Sequence, residues 1–434
     1  MTKKNNAFIK STITLIISGL LTKVIGFVIR IVYTRIIGPY GISLYTIATP
    51  TYSLLLTIAT LAIPISISKL VAEAKGRSIR ILTSAAALIL SINACLIVII
   101  LLTHDFIATT LLKEPLAGPI LVAFVLTLPF VSISSVLKGY FAGKQNMVPH
   151  ATSNIIEQII RLIIIIIVLP ILMDKGVIYA VIGLILLTII SEFSSIIVFF
   201  FFLPKRINLH TRLAPSKDNI SNILDISLPT VSSRIVGNIG YFFEPIILTN
   251  LLLYSGYTSS YVLAEYGAYN AYSISLLTMP SFFIAAVSTS LLPEVSKFYS
   301  QNNMSMVKRR IKQGIIFAAL IGITFSFLIY VFRDTLLFSL YKTTIGSKYI
   351  KILAPVFVLF YLEGVLTSAL QALGNAKISM KISLYGVILK LIVMSILSLC
   401  HIGIYSLVIS EIINILFVVF LNFKALKHTI QAIR

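Results

Sequence analysis

The first long apolar run of the chain contains three cations, Lys23, Arg30 and Arg35. Lys23 and Arg30 stand seven residues apart, which puts them on one face of a helix, two turns from each other. Ionised groups inside a bilayer are costly and therefore face a wet cavity or one another. Arg234 takes the corresponding place in the second half of the chain, followed by Glu244. Guanidinium forks match phosphate oxygens bidentately, and lysine adds a mobile point charge. Lys23, Arg30, Arg234 and Arg35 are therefore read as the lining of a cationic cavity for an anionic head group. Arg35, at a span end beside Gly38-Pro39, also suits snorkelling to the interface. Glu363, in mid-span, and Glu244 are candidates for proton or cation coupling, with an interhelical hydrogen bond as the competing role for each. Glu157 and Arg161, spaced i, i+4, are expected to form a structural ion pair. Glu192, Lys390 and Glu411 are further charges within apolar runs, open to either reading.

Other chemistries find no support. There is no Gly-x-x-x-x-Gly-Lys-Ser/Thr loop for nucleotide hydrolysis. The five histidines are scattered without zinc spacing, and no nucleophile stands beside a base. No catalytic residue, metal site or cofactor is expected beyond a coupling ion, Na+ or H+, that the sequence does not identify. Cys95 and Cys400 lie in apolar runs and are expected to be small buried hydrophobes. Gradient-driven or downhill transport is preferred to catalysis.

The elements that must position these groups follow from composition. Of 434 residues, 58% are hydrophobic and 11% charged, with a mean hydropathy of +1.01. Soluble domains carry roughly a quarter charged residues. The apolar residues fall in runs of about 20, enough for a helix to cross a ~30 Å hydrocarbon layer. In lipid only helices or closed barrels satisfy the backbone, and the absence of two-residue alternation selects helices. We expect an all-α polytopic membrane protein with about twelve spans, near 12–36, 42–68, 81–102, 117–142, 151–172, 177–203, 222–250, 262–292, 312–332, 349–372, 379–400 and 402–424.

With the N-terminus inside, the inner segments carry Lys3, Lys4 and Lys10, then Lys69, Lys75, Arg77 and Arg80, then Lys138 and Lys144. They continue with Lys205, Arg206, Arg212 and Lys217, with Lys297, Lys308, Arg309, Arg310 and Lys312, and with Lys377, Lys381, Lys424, Lys427 and Arg434. Outer loops are poorer in cations, as the positive-inside rule requires, so both termini are expected to be cytoplasmic in a multi-pass cell-membrane protein. The loop 333–351, with Arg333, Lys342, Lys348 and Lys351, breaks the pattern and suggests an extra short segment near 336–341. The net charge of +21 is spread over many loops, which argues against nucleic acid as a partner.

The longest hydrophilic stretch lies at the midpoint. It suggests an N-terminal six-helix lobe over 1–203, a cytoplasmic linker over 204–221 and a C-terminal six-helix lobe over 222–434. Ordered internal matches agree: Thr22-Lys23-Val24-Ile25-Gly26 with Ser233-Arg234-Ile235-Val236-Gly237, Tyr40-Gly41 with Tyr266-Gly267, Pro64 with Pro293, and Leu137–Lys144 with Leu370–Lys377. Pro64, Pro129, Pro245, Pro280, Pro293 and Pro355 are candidate kinks or hinges.

Several longer motifs carry a resemblance. They are Thr22–Phe27 with Arg30, Arg35-Ile36-Ile37-Gly38, Gly41–Tyr45, Ile63–Glu73, Gly139–Pro149, Ile156–Arg161, Leu291–Ser296 and Leu370–Asn375. Together they resemble the stage V sporulation protein B family, of the MATE/MurJ (MOP) superfamily. The resemblance implies MATE-like six-helix lobes around a central V-shaped cleft and rocker-switch alternating access. It also implies export of polyprenyl-pyrophosphate-linked saccharides for cell wall, spore cortex or exopolysaccharide. Expected partners are the lipid bilayer, that substrate and cell-wall synthesis proteins. The chain departs from the MurJ-type lipid II flippases in having Ile29-Arg30 where they carry an Arg-Asp pair, and Leu44 in place of an acidic residue. The alternative reading is a cation-coupled multidrug antiporter, which would need an acidic residue facing the cleft.

Overall fold

The computed structural model describes residues 3–74, 78–203 and 214–432, with side chains from 18 to 431 inside those ranges except at Ser233. Lys75, Arg77, Lys205, Arg206, Arg212, Arg434 and most of the expected linker lie outside the described residues, as do the side chains of Lys3, Lys4 and Lys10. Everything described is helix or short connection. The helices are α1 (Lys3–Thr60), α2 (Ile63–Glu73), α3 (Ser78–Phe106), α4 (Ala117–Gly143), α5 (Val148–Asp174), α6 (Val177–Phe202) and α7 (Lys217–Tyr254). They continue with α8 (Ser259–Gly267), α9 (Ser275–Thr278), α10 (Ser281–Ser300), α11 (Met304–Tyr341), α12 (Ser347–Ala372), α13 (Ala376–Ser398) and α14 (Tyr405–Ala432). Wide π-helical turns extend α3 over Ile107–Leu111 and join α8 to α9 over Ala268–Ile274.

Ten helical stretches among the described residues are long and apolar enough to span a bilayer, and the bent pair Ser259–Thr278 and Ser281–Ser300, at 49°, makes eleven. One stretch, Ser18–Glu73, has 56 residues. At 1.5 Å per residue that is about 84 Å, far more than one crossing needs. It is broken at Gly38, whose φ of 69° is open to glycine and poorly open to other residues. Pro39 follows, so no hydrogen-bond donor continues the helix there. Dividing the stretch at Gly38 supplies the twelfth span without any loop. A second break falls at Leu61 and Ala62, both left-handed with φ of 43° and 50°, just before Ile63-Pro64.

The expected extra segment near 336–341 is the helical end of α11, set off by a kink. α11 runs to Tyr341 with a local break at Phe332 (φ −100°, ψ 16°), leaving only a short turn before α12. The basic residues that broke the charge pattern are partly compensated: Lys348 pairs with Glu265 at 2.7 Å, and Arg333 with Asp334 at 3.7 Å. The cysteines also correct the sequence expectation. Both are free and exposed rather than buried, Cys95 on α3, whose outer face carries Ile99 and Leu102, and Cys400 in the turn just after α13. In a membrane, lipid satisfies an exposed thiol as well as a protein core would.

The chain divides into two compact units, Met1–Phe242 and Phe243–Arg434, the boundary falling within α7. In the first, α4 is central and packs on α2, α3 and α6; in the second, α12 packs on α10, α11 and α14. Small residues allow this. A Cβ on Gly139 would stand 2.7 Å from Pro64 Cα and 2.9 Å from its carbonyl oxygen, so α4 and α2 touch backbone to backbone. Asn93 stitches three helices, donating to the Ile89 carbonyl at 2.7 Å, to Ser132 Oγ at 3.1 Å and to the Ala59 carbonyl at 3.4 Å. In the second unit, Tyr266, Tyr269 and Tyr272 are fully buried, with Tyr272 edge-on to Tyr341. Because the obstacle at Gly139 is backbone, Gly139→Ala is expected to destabilise by about 1–3 kcal/mol. Gly237→Ala, which meets nothing within 4 Å, should not; thermal unfolding in detergent compares the two.

Candidate functional site

In the first unit, α1 aligns Gly26, Ile29, Arg30 and Tyr33 at helical spacing, and together they form one wall of a cavity of about 440 Å3. α5 contributes Gln158 and Arg161, α6 contributes Thr188 and Glu192, and the other wall is aromatic. There Tyr52 stacks on Phe124 at 4.3 Å between ring centroids, Tyr45 lies 5.6 Å from the same ring, and Thr127 donates to the Tyr52 hydroxyl at 3.5 Å.

A charge network backs this wall. Arg161 reaches Glu157 at 3.3 Å, one helical turn away on α5, and Glu192 on α6 at 3.8 Å, while its Nε donates to Ser191 at 3.0 Å. Lys138, on α4, reaches the other Glu157 oxygen at 3.4 Å. Both carboxylates are buried, so each needs a cation beside it. Lys138 and Arg161 supply two cations for Glu157 and Glu192. Arg30 adds a third positive charge on the cavity wall, so the named groups sum to one positive charge.

Arg30 lines this cavity; Lys23, Arg35 and Arg234 do not, and all three are exposed on their helices. Arg234 belongs to the same unit, because the first part of α7 is tied to α2 by Ser227 and Ser66 at 2.5 Å and to α1 by Asn238 donating to Thr57 at 2.7 Å.

The second unit holds a different cluster. Lys390 on α13 lies 2.6 Å from Glu244 on α7 and 2.6 Å from Glu411 on α14. The Tyr266 hydroxyl donates to the second Glu244 oxygen at 3.3 Å. Glu363, on α12 and partly buried, lies within electrostatic reach of Glu411. Here two carboxylates flank one ammonium and a third lies near one of them, the opposite balance to the first unit. Among the described residues no group of three or more His, Cys, Asp or Glu is placed to hold a metal ion.

Sequence reasoning singled out Arg30, Glu157, Arg161, Glu192, Lys390 and Glu411, but not their partners across helices. Lys138, counted among the inner basic residues, is a member of the Glu157 network. The Glu265 contacts, with Lys348 and with the Tyr349 hydroxyl that also donates to it, had no local signal, because the partners lie far apart in sequence.

The comparisons with known proteins agree with this architecture. The family described as polysaccharide biosynthesis protein matches residues 8–299, and the MatE family matches 245–396. Stage V sporulation protein B of Bacillus subtilis (strain 168) is 34% identical over 395 residues, covering 88% of this chain and 76% of that one. Lipid II flippase MurJ of the same organism is 21% identical, covering 89% and 77%. Among solved structures, an inward-facing conformation of a multidrug resistance MATE family transporter of the MOP superfamily superposes with a TM-score of 0.75 at 14% identity, covering 95% of each chain. At that identity the likeness establishes the fold alone.

Lys390→Met would leave Glu244 and Glu411 facing each other across a buried site. Removing one partner of a buried ion pair costs about 3–5 kcal/mol, and thermal unfolding should register that loss. Adding Glu244→Gln and Glu411→Gln to the same chain should recover much of it.

Proposed function

The chain belongs to the polysaccharide biosynthesis protein family, with stage V sporulation protein B among its relatives, and is a multi-pass membrane transporter of the MOP superfamily; from that premise we propose that it flips a polyprenyl-linked anionic sugar precursor across the cytoplasmic membrane. The proposal takes the two halves as six-helix lobes, with 204–221 as a cytoplasmic linker and both termini inside. Rocker-switch movement of the lobes about a V-shaped cleft exposes the site to each side in turn. The substrate biases whichever state binds it better.

The observation that carries the reading is Arg30 on the wall of a polar and aromatic cavity within an otherwise apolar bundle. A phosphate entering there meets the Arg30 guanidinium and the Gln158 amide, while Tyr45 and Tyr52 offer flat faces to a sugar. Lys23 and Arg35, on the same helix, and Arg234, on α7, extend positive charge beyond the cavity, so that a pyrophosphate is attracted before it is bound. Arg161–Glu192 and Lys138–Glu157 hold α5 against α6 and α4, and the Glu157–Arg161 pair orients the guanidinium that lines the cavity.

A second reading has its own support. Glu192 also lines the cavity, and Glu244, Glu363 and Glu411 give the second unit an excess of carboxylate. Such groups suit a Na+- or H+-coupled antiporter of cationic compounds, with Glu363 or Glu244 as the coupling site.

Purified protein in liposomes separates the two. For the flippase, Arg30→Ala and Arg234→Ala are each expected to lower translocation of polyprenyl-pyrophosphate sugars by tenfold or more, an effect of about 1.4 kcal/mol or greater. Arg30→Lys should retain part of the activity, since it keeps the charge and loses the fork. Undiminished flipping by folded alanine variants would remove the phosphate clamp. Ion-dependent efflux of a cationic dye, lost in Glu363→Gln, would instead establish the antiporter.

A further inference from the structure

A second cavity lies wholly within the C-terminal unit, between the start of α11 and the end of α14, with a volume of about 610 Å3. Its floor is apolar, built from Ile311, Ile315, Leu426 and Ile430, and its rim carries Lys308, Lys312 and Lys427. The three ammonium groups are exposed, and none lies within salt-bridge distance of a carboxylate among the described residues. The sequence explains this. No acidic residue occurs between Glu294 and Asp334 or anywhere after Glu411, and Glu294 is taken by Arg310 at 3.0 Å.

The apolar floor does not stop at the rim. On α14, Leu416, Phe420 and Phe423 are exposed at the same helical spacing that leads to Lys427. On α11, Ile316, Leu320, Ile323 and Phe327 likewise run away from Lys312. The result is an amphiphilic track on each helix: cations at the end of the span, then exposed hydrocarbon surface toward mid-membrane. A soluble anion would use only the rim, and a neutral lipid only the track.

We propose that this groove binds an anionic diacyl phospholipid of the surrounding bilayer, its phosphate held by Lys308, Lys312 and Lys427 and its acyl chains lying along α11 and α14. Lysines at a span end gain from an anionic surface, and their stems cover the apolar wall while the ammonium groups stay in the head-group layer. The site is separate from the Arg30 cavity and does not depend on what passes through it.

The full chain in nanodiscs of phosphatidylcholine, with and without phosphatidylglycerol, tests the idea by native mass spectrometry of lipid retained on release. Wild type is expected to retain phosphatidylglycerol selectively. K308A/K312A/K427A should lower that retention by about tenfold or more, and a control triple at exposed lysines elsewhere, K351A/K377A/K381A, should leave it unchanged. Wild-type protein with photoactivatable phosphatidylglycerol should become labelled within 308–316 and 423–431, a readout that needs no variant. Equal retention by both triples, labelling confined to other helices, or preference for a polyprenyl phosphate over phosphatidylglycerol at these residues would each overturn the proposal.

Discussion

Charge placed inside an apolar bundle must meet an opposite charge within the bundle or face a wet cavity, because hydrocarbon solvates neither. That requirement governs which helices of this protein touch. Arg161 fixes α5 against α6 through Glu192, and Lys138 adds α4 through Glu157. Lys390 does the same for α7, α13 and α14. Association of membrane helices has little hydrophobic drive, because lipid tails are as apolar as leucine. Polar contacts and backbone-close packing, such as Gly139 on Pro64, therefore specify the arrangement.

The two networks share a plan and differ in sign. In each the cation sits on one helix, Arg161 on α5 or Lys390 on α13, and a carboxylate partner on the next, Glu192 on α6 or Glu411 on α14. Around that common pair the first unit adds Lys138, Arg30 and Glu157, and the second adds Glu244 and Glu363. The two networks thus carry opposite surplus charge. The surplus is positive in the first unit and negative in the second.

Much of this was legible in the sequence for one reason: in a chain with so few charged residues, each ion inside a span is conspicuous. Arg30, Glu157, Arg161, Glu363 and Lys390 could be picked out individually. The break at Gly38-Pro39 was equally visible, because glycine and proline act locally. Partnerships were not visible. Lys390 meets Glu244 from 146 positions away, and nothing near either residue announces the other. The end of α11 was read in part: a short segment was expected near 336–341, and a kink does set one off there. Arg333 and Asp334 looked like a loop, yet the helix continues through them to Tyr341, bent only at Phe332. The cysteines were misjudged by a habit suited to soluble proteins, where an apolar side chain belongs inside; in a bilayer the outside is apolar too.

The left-handed pair Leu61-Ala62 separates two pieces of backbone. Beyond it, α2 rests on α4 with the Pro64 backbone against Gly139 and with Ile67 and Val71 buried in the shared core. Before it, residues 40–60 form an arm tethered at Gly38 on one end and at this pair on the other. That arm is held along its length: Tyr52 stacks on Phe124 of α4, and the Ala59 carbonyl accepts from Asn93 and Ser132. The two joints thus fix where the tyrosines stand opposite Arg30, in a cavity lined by α1, α4, α5 and α6.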